Sequence, residues 1–400
     1  MSVLRPRPPD DPLAVESLGP ADGPPAASDV AAAVLAALLK GGSGGDPLTA
    51  ALLDVDTLLT EYGITRSHAR RRESRLFAIR ATARAIAAAA DRVILLGDRA
   101  TLAGPRLLLA SCAHPWHDHL ARGDRGGRPR LIFVAPHHDP DAIGGLLDLL
   151  LPPGQGSATG HDRDLLDRTA LIVVGEPATA PTTDIVHVLG PAVEGRVFHT
   201  HSWATDAPGC GSGPGSVLGT AGLIAAALAG IDVVRLLVGA AALVARSRAP
   251  DGAAPVTTLA TALGGAPPPV RRVVTWAAAL DPLADWYGHL LTAAAHPAGL
   301  LHCGATGNAG SCLAVSGGEP RRDLPRGSAT PEGWHAAAAA DTASGIDHLR
   351  TAGATGAVVR LPRIDEHAIG QLLALVLLAT VVERGDAGSP GRCGGGVPGL

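Results

Sequence analysis

Lysine is nearly missing from this chain: Lys40 is the single one in 400 residues, and phenylalanine and tyrosine occur only three times and twice. Chemistry that needs a lysine nucleophile or acid would fall to Lys40, which lies beside a Gly/Ser run. Cysteine is scarce as well. Cys112, Cys210, Cys303, Cys312 and Cys393 are odd in number, widely spaced and never form a CxxC, which excludes a disulfide framework or a zinc knuckle and fits a reducing, cytoplasmic setting. The opening MSVLRPRPPDDP has neither the apolar core nor the small-residue cleavage site of a secretory signal. Long hydrophobic runs are lacking too: the stretches 216–231 and 368–382 are the most apolar, fall short of the roughly 18 residues a bilayer span needs, and read as buried helices, so no membrane partner is expected. An excess of positive charge is also absent. The formal charge is −4 with both signs mixed along the chain, which leaves no basic surface for a phosphate backbone and argues against nucleic acid.

What is present is the apolar content of a globular protein, 46%, on a chain long enough for two domains. Residues 1–28, rich in Pro, Asp and Gly, read as a disordered leader. Ser28 or Asp29 is placed to cap a helix running to Lys40, and GGSGGDP after it is a flexible break. Leu76, Ile79 and Ile86 share a helical face between Glu73 and Asp91, completing an N-terminal helical region over 29–90. RVILLG at 92–97 and RLIFVAP near 130 are short aliphatic runs, each followed by a helical stretch, the second over 139–151. ALIVVG at 170–175 supplies a third strand and IVHVLG at 185–190 a fourth, with 195–200 behind it. This is the pattern of a parallel sheet with crossover helices, spanning 91–205. A second α/β module is expected over 206–384, with helices at 216–229, 232–246, 282–295 and 364–383 and a strand at 270–277. The stretch 303–345 offers no periodicity to assign, and 385–400 reads as a disordered tail.

In an open parallel sheet, ligands settle beyond the carboxyl ends of the strands, where helix N-termini offer N–H groups to anions. The loops 97–104, GDRATLAG, and 175–183, GEPATAPTT, occupy that position. Asp98, Glu176, Pro177 and Pro181 add negative charge or remove donors there, so simple turns are the plainer reading. GCGSGPG at 209–215 matches neither GxGxxG nor a P-loop. His114, His117, Asp118 and His119 have a spacing that suits a metal if the segment is helical, and His137, His138, Asp139 and the pair His199 and His201 form two further clusters. That keeps a metal-dependent hydrolase as a rival, set against capping and surface polarity; no HExxH occurs, and neither metal nor cofactor is expected. Ser212 and Ser216 do not satisfy GxSxG, and Cys303 beside His302 has the wrong separation for a nucleophile and its base.

Taken in order, DRVILLG, GGRPRLIFVAPHHDPDAIGGLLDLL, SVLGTAGLIAAALAGIDV, ADWYGHLLTA and EHAIGQLLALVLLATVVERG resemble segments of the glucose-6-phosphate isomerase family, over roughly residues 75–385. The resemblance implies two sugar-isomerase (SIS) domains, each a parallel sheet flanked by helices in a three-layer α/β sandwich. It also implies a small phosphosugar ligand, a homodimer whose site a partner chain completes, and aldose–ketose isomerisation of glucose 6-phosphate and fructose 6-phosphate. On the family's motifs, GIGGS corresponds to Gly97–Thr101 and SKSGGT to Val174–Thr179, while GGRxS retains Gly213 and Ser216. Gly97, Thr101, Thr179, Gly213 and Ser216 are thus the implied substrate and phosphate residues, and His302 in LLHC is the implied catalytic histidine. Other positions depart from the family. Pro214 stands where the motif has Arg, Ala293 stands where it has the Glu base, and the tail lacks the family's Lys. A positioned base contributes about 10²–10⁴ in rate, so two readings follow: an isomerase using His296, His302 or Glu366 instead, or a binding protein that keeps the fold without the reaction.

Overall fold

The structure, a computed structural model, describes residues 12–19, 25–40, 47–62, 74–135, 141, 144–146, 148, 167–174, 185–187, 193, 195–200, 213–249, 252–264, 270–294, 299–301, 311–319 and 331–387. In chain order the strands are β1 (Ala14–Ser17), β2 (Arg92–Leu96), β3 (Arg130–Val134), β4 (Thr169–Val173), β5 (Val197–His199), β6 (Val270–Thr275), β7 (Gly299–Leu301), β8 (Ser311–Glu319) and β9 (Thr355–Arg363). The helices are α1 (Pro25–Leu39), α2 (Pro47–Tyr62), α3 (Arg75–Ala89), α4 (Arg99–Cys112), α5 (Thr220–Ala229), α6 (Val233–Ser247), α7 (Ala254–Gly264), α8 (Pro282–Ala293), α9 (Pro331–Thr351) and α10 (Glu366–Ala387). Internal packing divides the chain into two compact units, Leu53–Val234 and a second made of Met1–Leu52 with Arg235–Leu400.

The unit Leu53–Val234 is built on a four-stranded sheet in the order β3-β2-β4-β5, with every neighbour parallel. β2 and β4 are central and run almost entirely aliphatic, as strands covered on both faces must. On one face Ile94, Leu96, Leu171 and Val173 pack with Leu146, Ile185 and Val193. α3 and α4 each pack against α5, and a 3₁₀ turn at Pro214–Leu218 lies against α4 and α5. The expected fourth strand at 185–190 is instead helical at 185–187, and its place in the sheet is taken by Val197–His199. An aliphatic run of that length fits either state; here Ile185 supplies a helical contact to the sheet face. Most of the helix expected over 139–151 lies outside the described residues.

The other unit carries a five-stranded sheet, β1-β9-β8-β6-β7, parallel except for β1, which pairs antiparallel with β9. α1, α7 and α10 pack together, α7 also meeting β8, β9 and β1. The C-terminal part of α9 lays Ile346 and Leu349 on Cys312, Ala314, Val358 and Trp276. β1 lies inside the stretch expected to be a disordered leader. Its flanking residues Leu13 and Leu18 are both buried, Leu13 N–H donates to Gln371 at 3.2 Å, and Glu16 pairs with Arg350 and Arg360. The stretch 303–345 contains β8 and the start of α9, neither readable from composition; β8 owes its place to pairing on both sides, with β6 and β9.

α10 is long and almost wholly buried. Its Glu366–Arg384 segment is long and apolar enough to cross a membrane, but 94% of that window is buried against this protein. It crosses α6 at very short range: a Cβ on Gly239 or on Gly370 would collide with the carbonyl oxygen of His367 or of Leu236. Each unit is thus a parallel sheet flanked by helices, the three-layer α/β arrangement expected from the sequence.

Candidate functional site

Beyond the carboxyl end of β2 the chain makes a turn that only glycine permits. A Cβ at Gly97 would sit 2.5 Å from Val174 Cγ2 and 2.8 Å from the Val174 carbonyl oxygen, so the chain crosses the end of β4 in near contact. Asp98 follows in extended conformation, at φ −62° and ψ 159°, and caps α4. Its Oδ1 accepts from Thr101 N–H at 2.9 Å, and its Oδ2 accepts from the Thr101 hydroxyl at 2.5 Å. A carboxylate here meets both the free donors and the positive end of the helix dipole.

Thr101 carries the connection further. Its Oγ1 accepts from the backbone N–H of Gly213 at 2.7 Å, across 112 residues of sequence. Gly213 has φ +73°, a left-handed geometry that disfavours a side chain, and leads into Pro214 at the start of the 3₁₀ turn. Ser216, fully buried, donates its hydroxyl to the Gly213 carbonyl at 2.6 Å. Val217 locks this turn in place. A Cβ at Gly104 would come 2.7 Å from the Val217 Cβ, and one at Gly222 would strike the Val217 carbonyl, so α4 and α5 both close on this one residue.

Four of the six site residues expected from the sequence therefore belong to one structure: Gly97, Thr101, Gly213 and Ser216. Thr179 and His302 lie outside the described residues. The hydroxyls of Thr101 and Ser216 are directed inward, one to Asp98 and the other to Gly213, and they hold the loop's shape. The group turned outward is Asp98, exposed beside the exposed Arg99. As a feature of sequence, Asp98 reads only as unwanted charge. Its local signal is legible all the same: an Asp three residues before a Thr, where a strand gives way to a helix, has the spacing of an N-cap.

The positions that depart from the family are equally concrete. Ala293 is the last residue of α8 and is exposed, while Pro214 is buried and offers no charge. Among the described histidines of the three clusters, His117 is buried with Nε2 3.1 Å from the Pro129 carbonyl oxygen. His114 Nδ1 accepts from Trp116 N–H at 3.0 Å, and the His119 ring meets Trp116 edge-on. No group of three or more His, Cys, Asp or Glu suited to a metal occurs among the described residues.

Ionisable side chains also cluster in the unit that carries α10, where they are enclosed. Arg271, 2% exposed, donates to the Tyr287 hydroxyl at 2.7 Å and to the Leu263 carbonyl at 3.1 Å, and it pairs with Glu383. Burial lowers the Arg271 pKa, but the Tyr287 and Glu383 partners more than offset it, so its charge is held. Burial first, then the Glu383 charge, pushes the Tyr287 hydroxyl well up, leaving it neutral. At the head of α10, Asp365 accepts from Ala368 N–H at 3.0 Å and pairs with Arg235 at 3.1 Å.

Parallel sheets flanked by helices in both units, with a glycine-bounded loop at the carboxyl end of β2, make up a layered α/β fold. The same fold occurs in a glucose-6-phosphate isomerase from Chlamydia trachomatis. The match has a TM-score of 0.62 at 11% identity, over 90% of this chain and 80% of that one. A hypothetical protein from Thermus thermophilus is similar at a TM-score of 0.58 and 16% identity, over 90% and 88% of the two chains. No family model and no curated protein matches the sequence.

Proposed function

We propose that this protein binds a small phosphosugar at the carboxyl end of the β2 sheet and acts as an aldose–ketose isomerase on glucose 6-phosphate and fructose 6-phosphate, as a cytoplasmic homodimer. One observation carries the reading: the loop that joins Gly97, Asp98 and Thr101 to Gly213 and Ser216 stands where open parallel sheets receive ligands. The fold shared with an isomerase along 90% of this chain supports it.

The reaction moves a proton between C2 and C1 of the open sugar through an enediol. It is redox-neutral and needs no cofactor. It does need a base within hydrogen-bond reach of the carbon-bound proton. Ala293 cannot serve, and no lysine follows Lys40 to help open the ring. The proton transfer then falls to His296, His302 or Glu366, of which His302 is the histidine assigned by resemblance. Ala293 also favours a second reading, in which the sugar is bound and not turned over.

Purified full-length protein, assayed for conversion of fructose 6-phosphate alongside calorimetric titration with the same compound, separates the two. Turnover that drops by about 10²–10⁴ on His302→Ala supports isomerisation. Binding with no turnover supports the second reading, and the absence of both overturns the phosphosugar proposal.

A further inference from the structure

At the amino end of the four-stranded sheet two arginines stand side by side. Arg92 and Arg130 are register partners in β2 and β3, and parallel register sets their side chains on one face, ahead of Ile94 and Ile132. Like charges opposite each other across a ladder repel. Among the described residues neither guanidinium has a carboxylate partner, because the aspartates of this edge are engaged elsewhere. Asp91 is taken by Arg122 and Arg168, Asp118 by the Leu131 N–H at 3.1 Å, and Asp167 by Arg196 at 3.7 Å, while Asp124 lies exposed in the turn before β3. Burial adds to the imbalance. Arg92 Nη1 and Arg130 Nε are enclosed without a hydrogen-bond acceptor, which is costly for any donor and more so on a charged group. Arg130 also acts on Arg125, 8% exposed, whose guanidinium donates to the Arg128 carbonyl at 3.0 Å and to the Leu120 carbonyl. Burial first, and then the Arg130 charge, lower the Arg125 pKa, with Asp118 opposing them. A chain of net charge −4 thus gathers unpaired positive charge at one end of one sheet.

We propose that Arg92 and Arg130 form an anion site at this end of the sheet, and that its ligand is a phosphate dianion, either free inorganic phosphate or the phosphate of an ester. The site lies at the opposite end of β2 from the loop at Gly97, about 13 Å of strand from Arg92 to Leu96, so it is a second site and does not rest on the phosphosugar reading. Both side chains are half-buried. The enclosed nitrogen of each pins its guanidinium, and the remaining nitrogens, which no protein acceptor takes, reach solvent. Two such forks side by side offer several N–H donors in fixed geometry, which suits an anion that accepts through several oxygens at once. Two positive charges call for two negative ones. A dianion held between the guanidiniums turns their repulsion into two attractions, in a partly desolvated place where salt screens them less than at an open surface.

The test uses the full chain with Arg92→Gln and Arg130→Gln, and with Arg168→Gln as a control that removes the same charge from a side chain already paired with Asp91. Inorganic phosphate and methyl phosphate are the probes, titrated by calorimetry at constant ionic strength. Wild type is expected to bind inorganic phosphate saturably, Arg92→Gln and Arg130→Gln to lose about tenfold or more in affinity, and Arg168→Gln to stay within about threefold of wild type. Affinity for both probes, or for inorganic phosphate alone, supports the site and separates an ester from the free ion as its ligand. Thermal unfolding gives a second readout: phosphate raises the Tm of wild type and of neither Gln variant of the pair. Without phosphate those two variants melt no lower than wild type, since the like-charge pair is gone. No saturable binding by wild type overturns the proposal. So does phosphate affinity unchanged in both folded variants of the pair, or lost to the same degree in Arg168→Gln.

Discussion

Asp98 at the head of α4 and Asp365 at the head of α10 each follow a buried parallel strand, and each gives one carboxylate oxygen to a helix N–H, at 2.9 and 3.0 Å. They part company at the other oxygen. Asp365 is paired with Arg235, both side chains being largely enclosed, at 12% and 14% exposure. Asp98 has only the hydroxyl of Thr101 and looks into solvent. The enclosed pair acts as a bolt in the scaffold. The open one leaves a charge available to whatever arrives at the end of the sheet. The same contrast holds more broadly, since Arg271, Tyr287 and Glu383 are sealed in the unit with α10, while the loop around Gly97 and Gly213 has its polar groups satisfied locally and one carboxylate facing out.

Mutations that break this contrast should scale with enclosure. The largest effect is expected from Glu383→Ala, which leaves the buried Arg271 guanidinium without its carboxylate and should cost about 3–5 kcal/mol in urea denaturation followed by circular dichroism. A loss below about 1 kcal/mol would show that this group is not sealed as described. Asp365→Ala removes a cap and a partly enclosed ion pair together and should cost about 2–4 kcal/mol by the same measurement. Thr101→Val keeps the shape of the side chain but takes away the acceptor of Gly213 N–H, so a loss of about 1–3 kcal/mol is expected. Since it also frees Gly213, amide hydrogen exchange at that residue should accelerate. Asp98→Ala is expected to cost only about 1 kcal/mol, the worth of a cap, and Asp98→Asn less than about 0.5 kcal/mol. If Asp98→Ala proved as damaging as Asp365→Ala, the distinction between an open and an enclosed aspartate would collapse.

The elements legible in the sequence are those with a local cause. β2, β3 and β4 are short aliphatic runs closed by glycine, proline or a charged residue, and α3, α4, α6, α8 and α10 show sustained apolar patterning. The elements that escape such a reading depend on distant partners. β1 is four residues of ordinary composition, held by β9 more than 300 residues away and by the Leu13 bond to Gln371. β8 ends in Ser-Gly-Gly-Glu, a poor strand former by composition, yet it lies between β6 and β9. The site divides in the same manner. Gly97, Thr101, Gly213 and Ser216 are reached through motif resemblance, but the hydrogen bond from Gly213 to Thr101 has no trace in either segment alone.

By itself the sequence determined the layered α/β class, through runs of β-branched and aliphatic residues alternating with helical ones, and it determined which reactive groups are absent, because a chain without a second lysine or a glutamate at position 293 cannot acquire them by folding. Tertiary structure decided what the remaining polar groups do. Asp365 and Glu383 became scaffold because arginines from distant strands and helices close over them, and Asp98 stayed open because among the described residues no cation packs against it. Burial and pairing are properties of neighbours in space, and the neighbours are chosen by the fold.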